Sequence, residues 1–275
     1  FAAVAAAGAM AFTLTACGSS DSSADANAES VYYLSFKPEQ DAIWQEVAKE
    51  YTKETGVPVK VVTAASNTYE QTLKAEVTKK DAPTLFQVNG PIGMESWLDY
   101  TADLRNTDFY KALVDPGMAV GKDGKVYGVP YVVEGYGIIY NDAIMRKYFA
   151  MPGAKAKSVD EINNFATLKA VAEDMQAKKA DLGIDGVFAS TSLKPGEDWR
   201  WQTHLADLPV YFEYQDNGVN DMKDLTFKYN KEFKNIFDLY LNNSTIAPSL
   251  TSSKAVNDSM AEFALGKAAM VQNGN

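Results

Sequence analysis

Apolar residues fill the stretch from Phe1 to Ala16 with no charge among them, then thin out across GSSDSSADANAES, residues 18–30. From Val31 onward they recur with two alternating periods. VYYLSF, residues 31–36, is aromatic and β-branched and predicts a strand. Pro38 suits the first turn of a helix. Ile43, Trp44, Val47 and Tyr51 then fall at helical spacing, which predicts one apolar face with Trp44 in the core. Gly56 fits the cap after that helix, and Pro58 marks the stop. Val57–Val62 reads as a second strand, Tyr69–Lys80 as a second helix and Leu85–Val88 as a third, short strand. The order β-α-β-α-β implies an α/β class with a mainly parallel sheet. Ligands of such sheets bind outside the carboxyl ends of the strands. The loops of interest are therefore Phe36-Lys37, Ala64-Ser66 and Asn89-Gly90.

Further on, Asp123-Gly124 is a turn signal, followed by strand-like runs at Val126–Val133 and Gly137–Tyr140. Asp142 is placed to cap a helix running through Arg146. Asp198 is placed to cap another, with Trp201, Leu205 and Leu208 near one face. Trp199 and Trp201 stand two positions apart, so a helix points them in different directions: one toward a ligand, the other into the core. Trp97 reads as core or as the lip of a cleft. Val256–Leu265 is a helix with Met260, Phe263 and Ala264 on one face, stopped by Gly266.

Charge and cysteine content narrow the class. The chain has 26 basic and 36 acidic residues, a formal charge of −10, which disfavours a nucleic-acid partner. Hydrophobic residues make up 46% and charged residues 23%, as in an ordinary folded domain. The run at 1–16 is shorter than the about 20 residues that span a bilayer, and matches the core of a signal peptide. No leading Met or basic segment precedes it, so the start of the gene is expected to be missing. Leu14-Thr15-Ala16-Cys17 resembles a bacterial lipobox, which implies lipid attachment at Cys17. The other reading is a buried free cysteine. Residues 18–30 read as a flexible tether, leaving a body held at the outer face of a membrane.

Two stretches carry a family resemblance. "YGVPY", a glutamate and "IIYN" within residues 127–141, and "F-x-x-G-K-A-A-M" at 263–270, resemble the extracellular solute-binding proteins of bacterial ABC importers. The similarity is greatest to the carbohydrate-binding branch that includes maltose-binding protein. It implies a periplasmic-binding-protein-like fold of two α/β lobes with a hinge and a central ligand cleft. The first lobe would cover residues 31–133, the hinge crossing 134–137 and the second lobe 138–275. Members of the family run on past this point, so both lobes are expected to be incomplete.

The resemblance also suggests site residues. Glu134 matches a sugar-binding glutamate; a solvated hinge charge is the alternative. Tyr131 and Tyr136 flank it and could stack on a sugar or pack. Phe36, Lys37 and Asn89 end strands where the family meets ligand, and Trp199 or Trp201 supplies an aromatic face. His204, the only histidine, reads as structural, with no second histidine to share a metal. No G-x-S-x-G, H-E-x-x-H, phosphate-loop or G-x-G-x-x-G motif occurs, so neither an enzyme nor a cofactor is expected. The expected function is capture of a sugar or oligosaccharide by a monomeric, lipid-anchored protein on a Gram-positive surface or in a periplasm, and delivery to ABC permease subunits. The alternatives are a binding protein for a polyamine, metal complex or phosphodiester, or a secreted carbohydrate-active enzyme.

Overall fold

The computed structural model describes residues 30–65 and 68–274. Cys17, most of the tether and Ser66 lie outside the described residues. The chain divides into two compact units, Phe1–Val129 and Pro130–Asn275.

In the first unit β1 (Val31–Ser35) leads through α1 (Asp41–Thr55) to β2 (Val59–Thr63), and through α2 (Tyr69–Glu76) to β3 (Leu85–Phe86). The three strands are parallel in the order β2-β1-β3. The sheet and its crossovers are those the sequence predicts; the second helix is one turn shorter. Tyr32, Leu34, Ala64, Tyr69, Leu73, Val77 and Trp97 form the core, which settles Trp97 as a core residue. Gly56 closes α1 with φ of 75°, a left-handed conformation that a side chain disfavours.

The face of α1 differs from the expectation. Ile43 and Val47 are 62% and 49% exposed, and Tyr51 is exposed too, while the neighbouring row of Trp44, Ala48 and Thr52 turns inward. Both rows have helical spacing, and polar latches select between them. Thr63 donates to Asp41 (2.6 Å), Gln45 donates to the Val61 carbonyl (3.2 Å), and Thr52 Oγ1 accepts from Val59 N–H (3.2 Å). These bonds seat the side of α1 that carries Trp44, Ala48 and Thr52 on β2.

After α3 (Gly90–Trp97) and α4 (Asp108–Lys111), the hairpin β4 (Val120–Lys122) and β5 (Lys125–Gly128) turns at Asp123-Gly124. The strand expected to reach Val133 stops at Gly128. Pro130 follows and has no N–H to give a ladder.

The second unit opens with β6 (Tyr136–Tyr140) and α5 (Asp142–Phe149). Asn141, not Asp142, caps α5, its side chain accepting from Ile144 N–H at 3.2 Å. Asp142 pairs instead with Arg146 at 2.7 Å. Then come α6 (Phe165–Ala177), α7 (Lys179–Leu182), β7 (Gly186–Phe188) and α8 (Trp199–Trp201). A π-helical turn, Gln202–Ala206, joins α8 to α9 (Leu208–Asn217). The apolar stripe expected through Trp201, Leu205 and Leu208 breaks at this turn: Trp201 is buried and Leu208 exposed. α10 (Asn230–Asn242), α11 (Val256–Ala264) and β8 (Ala268–Gly274) complete the unit. Met260 and Phe263 of α11 pack on Ala268 and Val271, but Ala264 is exposed.

The sheet order is β6-β8-β7, with β8 antiparallel to β6 and parallel to β7. Met145, Tyr148, Val171, Met175, Phe188, Trp201 and Tyr240 belong to its core. At Gly186 a Cβ would stand 2.3 Å from the Ser244 carbonyl carbon, so only glycine lets that backbone approach.

Glu262 ties α11 to the segment after β7 and to the segment after α10. It accepts from Ser190 N–H (2.9 Å) and the Thr245 hydroxyl (2.7 Å), and pairs with Lys254 (3.2 Å). Burial pushes its carboxyl up, but these donors outweigh it and hold the group below its ordinary 4.5. A depressed folded value stabilises above the unfolded pKa, and that contribution fades as pH falls through the folded one. Glu262→Gln should therefore be less stable than the parent at pH 7. Thermal melts should show that gap closing below about pH 4.5; a constant gap would refute the assignment.

Candidate functional site

In the first unit three parallel strands bring their carboxyl ends to one edge. Phe36 and Lys37 leave β1, and Gln87 to Asn89 leave β3. Phe36 N–H donates to Gln87 Oε1 (3.0 Å). The Tyr69 hydroxyl donates to the Gln87 carbonyl (2.9 Å) and accepts its N–H (2.6 Å). The Phe36 ring lies tilted on Tyr69 with centroids 5.7 Å apart. Lys37 Nζ stands 5.0 Å from the Phe36 ring and 3.9 Å from Glu39. Asn89 donates to one oxygen of Glu70 and the Trp97 indole to the other, each at 3.0 Å. Phe36, Lys37 and Asn89 are thus all at this edge. Glu70, Tyr69 and Gln87, which hold it, were not legible as site residues.

The second unit has its own carboxyl edge, where β7 and β8 end and the antiparallel β6 begins. Tyr136 pairs with Gly274 there. Its ring is half exposed and stacks on His204, with centroids 4.2 Å apart and planes 7° from parallel. Trp199 meets the same imidazole edge-on at 5.6 Å. The Arg200 guanidinium lies 4.2 Å over the Trp199 ring. Burial, then the Arg200 charge, pushes the His204 pKa below its ordinary value; Asp207 and Glu134 oppose them weakly. Glu134 stands in the exposed stretch ahead of β6. Trp199 is 41% exposed, whereas Trp201 is buried against Phe237 and Tyr240. The two tryptophans part as their spacing predicts.

His204 is therefore an aromatic bridge at this edge as well as a packed residue. The spacing hid it. Residues five apart diverge on an α-helix, but a π turn, with its i to i+5 bonds, brings them together. Here the Asp207 N–H reaches the Gln202 carbonyl at 3.0 Å.

Behind this edge lies a small cavity of about 20 Å³, lined among others by Thr191, Arg200, Trp201, Tyr240 and Gln272. Three buried polar atoms of these residues have no hydrogen-bond partner: Thr191 Oγ1, Trp201 Nε1 and Gln272 Nε2. Among the described residues, no group of three or more His, Cys, Asp or Glu could hold a metal ion. No described helix is long and apolar enough to cross a membrane.

The model of the family described as bacterial extracellular solute-binding protein matches residues 46–275. No curated protein matches. Among solved structures, the SBP RafE in complex with raffinose is 22% identical, over 89% of this chain and 62% of that one, with a TM-score of 0.60. RafE from Streptococcus pneumoniae in its apo form is 19% identical, over 90% of this chain and 62% of that one, also at 0.60. The ABC substrate-binding protein Lmo0181 from Listeria monocytogenes, in complex with cycloalternan, is 21% identical over 90% and 61%, again at 0.60. At these identities the likeness is one of fold. The chain spans about three fifths of the length of these proteins.

Proposed function

We propose that this chain, a member of the bacterial extracellular solute-binding protein family, captures a sugar or oligosaccharide and hands it to the membrane subunits of an ABC importer. The observation that carries the reading is the edge of the second unit. Half-exposed aromatic rings, Tyr136 and Trp199, stand beside a guanidinium and a carboxylate-bearing segment. A sugar needs that combination, because flat rings cover its C–H faces while polar groups pair its hydroxyls. An unpaired buried hydroxyl costs roughly 1–3 kcal/mol. In this reading Glu134, Tyr136 and Trp199 of the second unit contact solute, as do Phe36, Lys37 and Asn89 of the first. Trp201, buried against Phe237 and Tyr240, is the one of the pair that packs in the core. The relatives solved with raffinose and cycloalternan favour a carbohydrate over a polyamine or phosphodiester. The protein acts by binding and catalyses no covalent step.

Titration calorimetry of the complete gene product against mono- and oligosaccharides tests the reading. Saturable, stoichiometric binding without product formation is expected. Sugar turnover, or binding only to a polyamine or phosphodiester, would overturn it. The anchor is a separate part of the proposal. Cys17→Ala should move the protein from the membrane to the soluble fraction, and unchanged retention would argue against lipidation there.

A further inference from the structure

At the first unit's edge one carboxylate holds two donors at once. Glu70 stands in the first turn of α2. One of its oxygens accepts from Asn89 Nδ2 and the other from the Trp97 indole, each at 3.0 Å. The neighbouring residue fixes its place: Tyr69 is buried, and its hydroxyl bonds both the N–H and the carbonyl of Gln87. Asn89 is held at its stem. It precedes the first turn of α3, and a Cβ on Gly93 would stand 3.2 Å from the Asn89 Cβ. The Asn89 side chain is exposed and makes no capping bond to that helix.

We propose that Glu70 is a positioning residue that sets which end of the Asn89 amide meets the solute, so that this edge takes a proton from one solute hydroxyl. The proposal rests on the carbohydrate reading above and narrows it.

An amide has a donor end and an acceptor end, whereas an ionised carboxylate only accepts. Asn89 must therefore turn its nitrogen toward Glu70. Its Oδ1, which has no partner among the described residues, is left to accept from a ligand. The core holds the carboxylate in turn. The Trp97 N–H can only donate. Trp97 is 8% exposed and belongs to the core, where an N–H without an acceptor is costly. It claims the second oxygen, so neither oxygen of Glu70 is spare.

Specificity follows from that polarity. A free hydroxyl can give its proton to Oδ1. A ring oxygen, a glycosidic oxygen or an O-methyl group has none to give and leaves Oδ1 unpaired. This edge thus selects a free hydroxyl at one position of the solute and disfavours a linkage there.

The same logic shows how to invert the edge. In Glu70→Gln the indole still requires an oxygen, so the new amide gives its oxygen to Trp97 and its nitrogen to Asn89. Asn89 then turns end for end and shows the solute its own nitrogen. Adding Asn89→Asp restores an acceptor, because one carboxylate oxygen takes the new amide's proton and the other faces the solute.

Titration calorimetry on the complete gene product tests this. A sugar that binds the parent is compared with its monodeoxy and deoxyfluoro analogues; fluorine accepts weakly and donates nothing. The hydroxyl at Asn89 is the one whose removal costs the parent about tenfold in affinity but costs Asn89→Ala little. At that position the ratio of deoxyfluoro to monodeoxy affinity should be near one in the parent. It should rise in Glu70→Gln and return in Glu70→Gln/Asn89→Asp. Trp97 keeps an acceptor in Glu70→Gln, so the melting temperature should change little; if that variant fails to fold, the parent's own ratio decides. A ratio well above one in the parent, or one that Glu70→Gln leaves unchanged, would overturn the positioning role. So would the absence of any hydroxyl coupled to Asn89, with carbohydrate binding intact. A parent that binds no sugar overturns the functional reading itself.

Discussion

Phe188→Ala should destabilise the second unit by about 3–5 kcal/mol in urea unfolding, the usual range for a buried phenylalanine cut back to alanine. Phe188 is fully buried on β7, with its ring centroid 4.5 Å from that of Tyr240. Its backbone is fastened on both sides. It is in register with Met270 of β8, its N–H donates to Asn243, and its carbonyl accepts from Thr245. Such a backbone cannot relax far into the space the ring leaves, which puts the cost near the upper end. The site should suffer as well, because Ala189 to Ser192, which line the cavity, follow directly from β7. A loss below about 1 kcal/mol would mean that the core collapses around the gap, contrary to the packing described.

Glu134→Gln should weaken sugar binding about tenfold to a hundredfold and leave the melting temperature of the free protein nearly unchanged. Hydrogen bonds to a charged partner are worth about 1.5–3 kcal/mol, which is that range of affinity. The second half of the expectation follows from exposure: Glu134 lies in an exposed stretch, where substitutions rarely shift stability by more than about 0.5 kcal/mol. Calorimetry with the cognate sugar decides the matter. An unchanged dissociation constant would make Glu134 a solvated charge in the exposed stretch ahead of β6.

The first unit's sheet was legible in the sequence because three independent signals agreed there. Aromatic and β-branched runs marked the strands, Pro38 and Gly56 marked helix limits, and the alternation implied parallel pairing. What failed was the choice between equivalents. Two rows of α1 share one helical spacing, and only the bonds of Asp41, Gln45 and Thr52 to β2 separate them. The candidate site was legible where residues follow strands, as with Phe36, Lys37 and Asn89. It was illegible where geometry departs from a regular helix. The π turn swings His204 between Tyr136 and Trp199, and no apolar period announces that. Gln272 was hidden for another reason: within a mostly buried strand, nothing in the sequence distinguishes a partnered amide from an orphaned one.

Of the three described strands in the second sheet, the central one, β8, is made last. β6 and β7 touch each other only through β8, and Gly137 finds its partner in Asn273. A ribosome adding about 5–20 residues per second needs roughly 7–30 s to travel between those two positions. Throughout that interval Ile138 has no described strand to pair with in its own sheet, and Val187 and Phe188 wait likewise from their own synthesis until β8 is made. The pairing then closes a very long loop, the kind of contact that slows folding. The three described strands of the first unit's sheet are all made by Phe86 and face no such wait. Synthesis therefore sets an order of assembly, early for one half and late for the other, with apolar strands of the second half open to chaperones or to one another in between.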